Sequence, residues 1–140
     1  MDVSLGLLAD YANVTAEGKL NIMGVFQAIN APKLPYVHAQ MHLILMIQAH
    51  RSESGKKKHI DIRLMGDDGP ALFTIGVDMQ VPTDHDSRFP GMPIGFNHIL
   101  GFQNLRFEKP GDYEFAVSIG NEHKMSIPLR VIDANPGRPG

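Results

Sequence analysis

Apolar and polar residues alternate along most of the chain, which is the period of a half-buried β-strand. The clearest run is 113–119, and the same parity returns at 125–131 after the turn residues Gly120, Asn121 and Glu122. This spacing predicts that the last two strands form a hairpin. Pro128 occupies a polar position of the final strand. Because proline has no N–H to donate, the sequence predicts that this strand is an edge or is bulged there.

The same alternation predicts six further strands, separated by segments rich in turn residues. They cover residues 3–13, 19–29, 37–48, 60–64, 73–80 and 96–107. Gly18 closes the loop between the first two, and the segment Asp67-Asp68-Gly69 predicts a turn between the fourth and fifth. The third of these strands is apolar on both parities in its middle, so we expect it to be central and covered on both faces.

About eight closely spaced strands without a helical stripe predict an all-β fold, an antiparallel β-sandwich of immunoglobulin-like or jelly-roll-like type. We expect one domain over residues 1–134 and a Gly/Pro tail over 135–140. Residues 110–113 (Pro-Gly-Asp-Tyr) resemble the corner of immunoglobulin-like sandwiches, where a tyrosine hydroxyl bonds backbone. The loop 82–95 is unusually long, and loops of this kind commonly carry function.

Composition narrows the class of protein. The chain is 43% hydrophobic and 20% charged, which is typical of a globular domain. Its net charge of −2 argues against a general nucleic-acid binder, and it has no cysteine for a thiolate site or disulfide. No apolar run approaches the ~20 residues of a membrane helix, and the amino terminus does not resemble a secretory signal, so a cytoplasmic location is expected.

The seven histidines raise the question of a metal site. His38 and His42 are predicted on one strand face, roughly 13 Å apart, too far for a shared zinc ion. His50 and His59 could face each other across a hairpin at about 5 Å, but no third ligand is evident. The segment Asp84-His85-Asp86 offers oxygen ligands without the spaced carboxylates of a calcium loop. We therefore expect no metal and no other cofactor.

Two further groups of residues have an ordinary and a functional interpretation. A basic loop could grip a phosphate, an acidic partner or a lipid head group, although charged loops usually keep β-proteins soluble. Methionines at apolar strand positions favour core filling, although methionine also suits adaptable contact surfaces. The basic residues are Arg51, Lys56, Lys57 and Lys58, and the methionines include Met23, Met41, Met46, Met65 and Met79.

Catalytic signatures are missing from the sequence. It contains no G-x-S-x-G, no P-loop, no G-x-G-x-x-G and no H-E-x-x-H, so no enzyme is expected and no catalytic residue is assigned. Aromatic residues are few and tryptophan is absent, which weakens both single-stranded nucleic-acid platforms and carbohydrate stacking.

Four segments together resemble a family of uncharacterised bacterial proteins, classed as a domain of unknown function. They are 8–14 (Leu-Ala-Asp-Tyr-Ala-Asn-Val), 18–26 (Gly-Lys-Leu-Asn-Ile-Met-Gly-Val-Phe), 110–115 (Pro-Gly-Asp-Tyr-Glu-Phe) and 127–131 (Ile-Pro-Leu-Arg-Val). The resemblance extends over nearly the whole chain. It implies a bacterial origin, and the family supplies no activity, cofactor or catalytic residue to transfer.

The leading functional hypothesis is a non-enzymatic interaction or structural module that assembles through strand edges and termini. Its expected partner is a protein, including a second copy of the chain, with nucleic acid and membrane excluded. The alternative is a small-ligand- or metal-binding β-sandwich that uses the loop 82–95, with His85 or His98. An enzyme would require titratable side chains that converge in a cleft.

Overall fold

Two β-sheets pack face to face in the computed structural model, which describes residues 1–67, 69–83 and 92–135. A four-stranded sheet has the order β2-β1-β4-β7, and a five-stranded sheet has the order β3-β9-β8-β5-β6. The expected all-β sandwich is therefore confirmed. The strands are β1 (Asp2–Val14), β2 (Leu20–Phe26), β3 (Ala28–Ala31), β4 (Tyr36–Ala49), β5 (Lys57–Met65), β6 (Ala71–Gln80), β7 (Ile94–Phe107), β8 (Gly111–Ile119) and β9 (Glu122–Asp133), with a short 3₁₀ turn at Arg51–Glu53.

The ninth strand arises where one predicted run divides. The sequence predicts a single strand over 19–29, whereas β2 ends at Phe26 and β3 begins at Ala28. The two halves belong to opposite sheets, so the chain crosses the sandwich at Gln27. β3 then runs parallel to β9, unlike the antiparallel pairs in the rest of the described structure. The inward parity changes at the crossing, from Ile22 and Phe26 to Ile29 and Ala31, but apolar residues occupy both parities of this run and conceal the change.

The three predicted hairpins form, linking β1 to β2, β5 to β6 and β8 to β9. In the last of them Gly120 and Asn121 have φ of 57° and 69°. Positive φ at both central residues defines the two-residue turn that matches strand twist. β4 lies between β1 and β7, as the apolar pattern of its middle predicts.

The prediction made from Pro128 is only half right. β9 is an edge only before Arg130, where its pairing with β3 begins, and its register shift lies near Val117 rather than at the proline. The backbone N–H of Arg130 donates to the carbonyl of Gln27 at 2.8 Å. The nitrogen of Pro128, two residues earlier, therefore points away from β8 and beyond the start of β3. No ladder hydrogen bond is lost there.

The main core lies between the sheets and is filled by the inward-facing residues of both. Phe102, Phe107 and Phe115 supply its aromatic part, and aliphatic side chains of β4, β5, β8 and β9 supply the rest. The hydroxyl of Tyr113 donates to the carbonyl of Lys109 at 2.6 Å, which confirms the predicted tyrosine corner.

The predicted boundary at residue 134 stays a prediction, because residues 136–140 lie outside the described residues. Asn135, assigned to the tail, donates from its side chain to the carbonyl of Pro32 at 2.8 Å. Within the described residues no helix is long and apolar enough to cross a membrane.

Candidate functional site

A hollow of about 750 Å³ lies on the outer side of the five-stranded sheet. Outward-facing residues of β8 and β9 form its floor, the β5–β6 turn forms one wall, and the start of β3 forms the other. Its size is in the range of small-molecule sites. We call this site the hollow, and its lining residues are Gln27, Ala28, Met65, Gly66, Asp67, Gly69, Asp112, Tyr113, Glu114, Pro128, Leu129, Arg130 and Ile132.

Strand alternation determines which side chains reach the floor of the hollow. Because Tyr113 faces the core, its neighbours Asp112 and Glu114 face outward. Asp112 lies opposite Arg130 across the β8–β9 pair, and the guanidinium Nε donates to Asp112 Oδ1 at 2.8 Å. This hydrogen bond and the charge of Asp112 raise the pKa of Arg130. The floor is therefore crossed by an ion pair with two exposed partners.

The wall formed by the β5–β6 turn is tied to the floor at Asp112, next to Gly111. Asp67 Oδ2 accepts a hydrogen bond from the backbone N–H of Asp112 at 3.2 Å. Gly111 has a φ of 147°, and a Cβ placed there would meet Asp67 Oδ2 at 2.6 Å. Glycine is therefore required both by the backbone conformation and by the close approach of the carboxylate.

The hollow combines negative charge with apolar surface. It holds the three carboxylates of Asp67, Asp112 and Glu114 against one guanidinium, an excess of two negative charges. Glu114 makes no hydrogen bond or ion pair with the residues that the structure describes. Apolar surface comes from Ala28, Met65, Pro128 and Ile132, the last of which is 39% exposed.

The outer side of the four-stranded sheet has a different character, and we call it the uncharged face. Among the described residues, its outward-facing positions between Asp2 and Arg106, which lie on its rim, include no Asp, Glu, Lys or Arg. Two shallow depressions of about 270 and 190 Å³ lie on it. Its residues are Leu5, Leu7, Ala9, Tyr11, Asn13, Asn21, Met23, Val25, Gln40, His42, Ile44, Met46, Gln48, Asn97, Ile99, Gly101 and Gln103.

His38 and His42 do not share a strand face as predicted. Asn104 of β7 has a positive φ of 55°, and the inward parity of β4 and β7 changes at this level. His42 contacts Tyr11 on the uncharged face, whereas His38 packs against Phe26 near the core. Burial lowers the pKa of His38 below its usual range, and its Nε2 is buried without a hydrogen-bond partner in the described structure. The two imidazoles lie on opposite sides of the sheet, so His38 and His42 cannot share a metal ion.

The predicted pairing of His50 with His59 is wrong, because β4 and β5 belong to different sheets. His50 caps the 3₁₀ turn that carries the chain across the sandwich. His59 lies between two carboxylates, with Nδ1 2.6 Å from Asp78 and Nε2 3.0 Å from Asp61. The hydrogen bond to Asp78, followed by that to Asp61, raises the pKa of His59.

The loop 82–95 lies mostly outside the described residues, and so do Asp84, His85 and Asp86. The use of this loop as a site therefore stays a prediction. His98 lies on β7 opposite Leu45, and burial lowers the pKa of its imidazole. In the segments 1–67, 69–83 and 92–135, no group of three or more potential ligands could hold a metal ion.

The basic loop is partly engaged with the protein itself. Arg51 Nε donates to the carbonyl of Met92 at 3.2 Å, and Lys58 forms an ion pair with Glu53 at 3.1 Å. The backbone N–H of His50, followed by Lys58 and the amino terminus, lowers the pKa of Glu53 to about 2. These contacts favour an anchoring role for this segment over capture of an external anion.

Core filling describes only some of the methionines. Met41 is 1% exposed and belongs to the main core, and Met65 and Met79 are partly buried. Met23 and Met46 are 66% and 37% exposed on the uncharged face, so the prediction is wrong for these two.

The fold and the hollow together define a two-sheet β-sandwich with a charged depression on its larger sheet. The chain belongs to a family of unknown function, DUF6941, whose model matches residues 4–132. This match confirms the resemblance seen in the sequence. No curated protein matches the chain.

The comparison with solved structures matches the chain to Pseudomonas fluorescens alkylpurine DNA glycosylase AlkC bound to DNA containing an abasic site analog. The TM-score is 0.46 and the identity 11%, over 91% of this chain. Our chain spans 30% of the length of that structure. A likeness at this level carries no argument about function.

The expected partners nevertheless need correction. The sequence predicted a protein partner or a second copy of the chain and excluded nucleic acid. The solved structure above is of a DNA-bound protein, and none of the comparisons supplies a protein partner. The expectation of a protein partner and the exclusion of nucleic acid are therefore both withdrawn.

Proposed function

We propose that the chain is a non-enzymatic, small-ligand-binding β-sandwich and that its binding site is the hollow. The observation that carries the proposal is the hollow itself, a ligand-sized depression with apolar surface and a few convergent polar groups. The site differs from the expected one, because the hollow is bounded by the β5–β6 turn, whereas the loop 82–95 follows the other end of β6.

The chemistry of the lining residues supports binding over catalysis. The described lining includes no Ser, Thr, Cys, His or Lys, and the hydroxyl of Tyr113 is turned away to the carbonyl of Lys109. Arg130 and Asp112 are engaged with each other. Asp67 also accepts from a protein donor, which leaves Glu114 as the one unengaged base of the described lining, without a hydroxyl, thiol or amine nucleophile beside it to activate.

We also propose that the protein acts in the bacterial cytoplasm. Support comes from the family resemblance in the sequence and from the absence of cysteine, which suits a reducing compartment. Fractionation of the native host with an antibody to the protein tests this location. Recovery in the periplasmic or secreted fraction would contradict it.

The binding proposal is tested by nuclear magnetic resonance of the full chain with a library of small fragments of mixed charge. We expect amide shifts to cluster at Gly66, Glu114 and Arg130. Ala28→Trp fills the hollow and should abolish these shifts, whereas the matched Ala116→Trp, outward-facing on β8 but outside the hollow, should preserve them. Shifts elsewhere on the protein, or equal binding by both variants, would overturn the proposal.

A further inference from the structure

We propose that the ligand of the hollow is an organic cation, an ammonium or amidinium group joined to an apolar body. This inference rests on the proposed function and adds the chemical class of the ligand. It follows from the pairing of the charged residues in the hollow and from the surroundings of Glu114.

The positive charge in the hollow is already engaged, whereas one negative charge is open. Arg130 is held by Asp112 at 2.8 Å, so an incoming anion would compete with that carboxylate and face Asp67 and Glu114 as well. Asp67 accepts from the backbone of Asp112. Glu114 has no partner in the described part of the chain. A cation would instead gain a carboxylate that has no competing protein contact.

The strand register places Glu114 between apolar neighbours. Across β9 it lies opposite Pro128, and across β5 it lies opposite Met65. A cation bound at Glu114 therefore has apolar surface on both sides for its hydrocarbon part, and methionine adapts readily to different shapes. Apolar surroundings also strengthen the attraction between opposite charges, because they lower the effective dielectric constant.

The same geometry argues against an inorganic cation. Calcium and magnesium require several oxygen ligands at short distance, and no group of three or more potential ligands converges among the described residues. The carboxylates of Asp67, Asp112 and Glu114 share one hollow without forming such a cluster. Carboxylates spread over an apolar floor suit a larger ligand that carries its charge on one end.

The experiment uses three probes with the same apolar body, benzylamine, benzyl alcohol and benzoate, titrated by calorimetry at low ionic strength. We expect benzylamine to bind most tightly and to weaken as salt is added. Glu114→Gln should weaken benzylamine by about ten-fold and leave benzyl alcohol unchanged. The control Glu122→Gln, the same change at the far end of β8–β9, should leave all three unchanged.

A second variant keeps the test independent of Glu114 itself. Pro128→Lys puts a resident ammonium beside Glu114, and the proline nitrogen makes no ladder bond that the change could break, so benzylamine binding should fall as in Glu114→Gln. Tightest binding of benzoate, lost in Arg130→Gln, would overturn the cation inference and leave the binding site standing. Equal binding of benzyl alcohol and benzylamine would also overturn the cation inference and leave the binding site standing. If none of the three probes binds and no fragment of the library shifts the amides of the hollow, the proposed function is overturned as well.

Discussion

The two outer faces of the sandwich follow the same alternation, yet they differ in which residues fill the outward positions. The outer side of the five-stranded sheet, which we call the charged face, carries Asp61, Arg63, Asp78, Glu114 and Arg130. The uncharged face carries amides, glycines and large apolar side chains instead. The period of a strand therefore predicts the fold equally well for both sheets, while the identity of the outward residues separates their surfaces.

The two outer faces also differ in how deeply their side chains are buried. On the uncharged face Ala9 and Ile44 are 0% exposed, and they form a second apolar cluster with Leu7 and Ile99 outside the main core. β4 is consequently buried on both sides, whereas β8 presents partly exposed residues between its buried ones. A charge added to the two faces should therefore have very different consequences.

The largest effect is expected for Ile44→Asp. This change removes a buried aliphatic side chain and leaves an unpaired carboxylate inside the apolar cluster, which should cost about 3–5 kcal/mol of unfolding free energy. The matched change on the charged face is Thr74→Asp, exposed and opposite Arg63. It should alter stability by less than about 0.5 kcal/mol. Urea denaturation measures both, and a similar loss in the two variants would break the comparison.

Gly111→Ala should have the next largest effect. The φ of 147° disfavours any side chain, and the new Cβ would displace Asp67 from the backbone of Asp112. We expect a loss of about 1–3 kcal/mol, measured by denaturant unfolding. Gly69→Ala is a control with positive φ but open space around its Cβ. A smaller loss there would isolate the contribution of the Asp67 contact, and equal losses would assign the whole effect to backbone strain.

The sequence predicts the floor of the hollow more closely than its walls. A two-residue turn places Ile119 opposite Glu122, and an unbroken ladder would then set Asp112 opposite the core residue Leu129. Since both strands must keep their apolar residues inward, the parity requires one extra residue in β9. The structure has this irregularity between Val117 and Ser118, and it brings Asp112 opposite Arg130. The ion pair of the floor was therefore implicit in the pattern.

The walls depend on contacts that no local pattern encodes. Gln27 and Ala28 reach the hollow because the chain changes sheets between β2 and β3, and β3 then pairs in parallel with β9. Asp67 reaches it through a bond to a residue 45 positions away. Periodicity reports which side of a strand is buried, and it says nothing of which strand becomes the neighbour.

A pH titration should test the pairing of His59 with the carboxylates of the charged face. Because Asp78 and Asp61 raise its pKa above 6.5, its contribution to stability is full below the unfolded value and is lost as pH rises through the folded pKa. Asp78→Asn should lower the pKa of His59, as followed by imidazole resonances from about pH 5 to pH 9. His42 on the uncharged face contacts Tyr11 and the backbone carbonyl of Asp10 instead of a carboxylate. An unchanged pKa of His59 in Asp78→Asn would show that Asp78 does not raise that pKa.

The smallest effect on stability is expected for Met23→Asn, since this side chain is 66% exposed and leaves no cavity. Unfolding free energy should stay within about 0.5 kcal/mol. Retention on a hydrophobic-interaction column should nevertheless fall, because the methionine lies within contiguous apolar surface that includes Tyr11 and Val25. Leu72→Asn removes a side chain of comparable exposure, 47%, from the five-stranded sheet. It should change retention less, since its sheet carries charges around it. Equal changes in retention would mean that binding to the column depends on single exposed side chains and not on the continuity of the uncharged face.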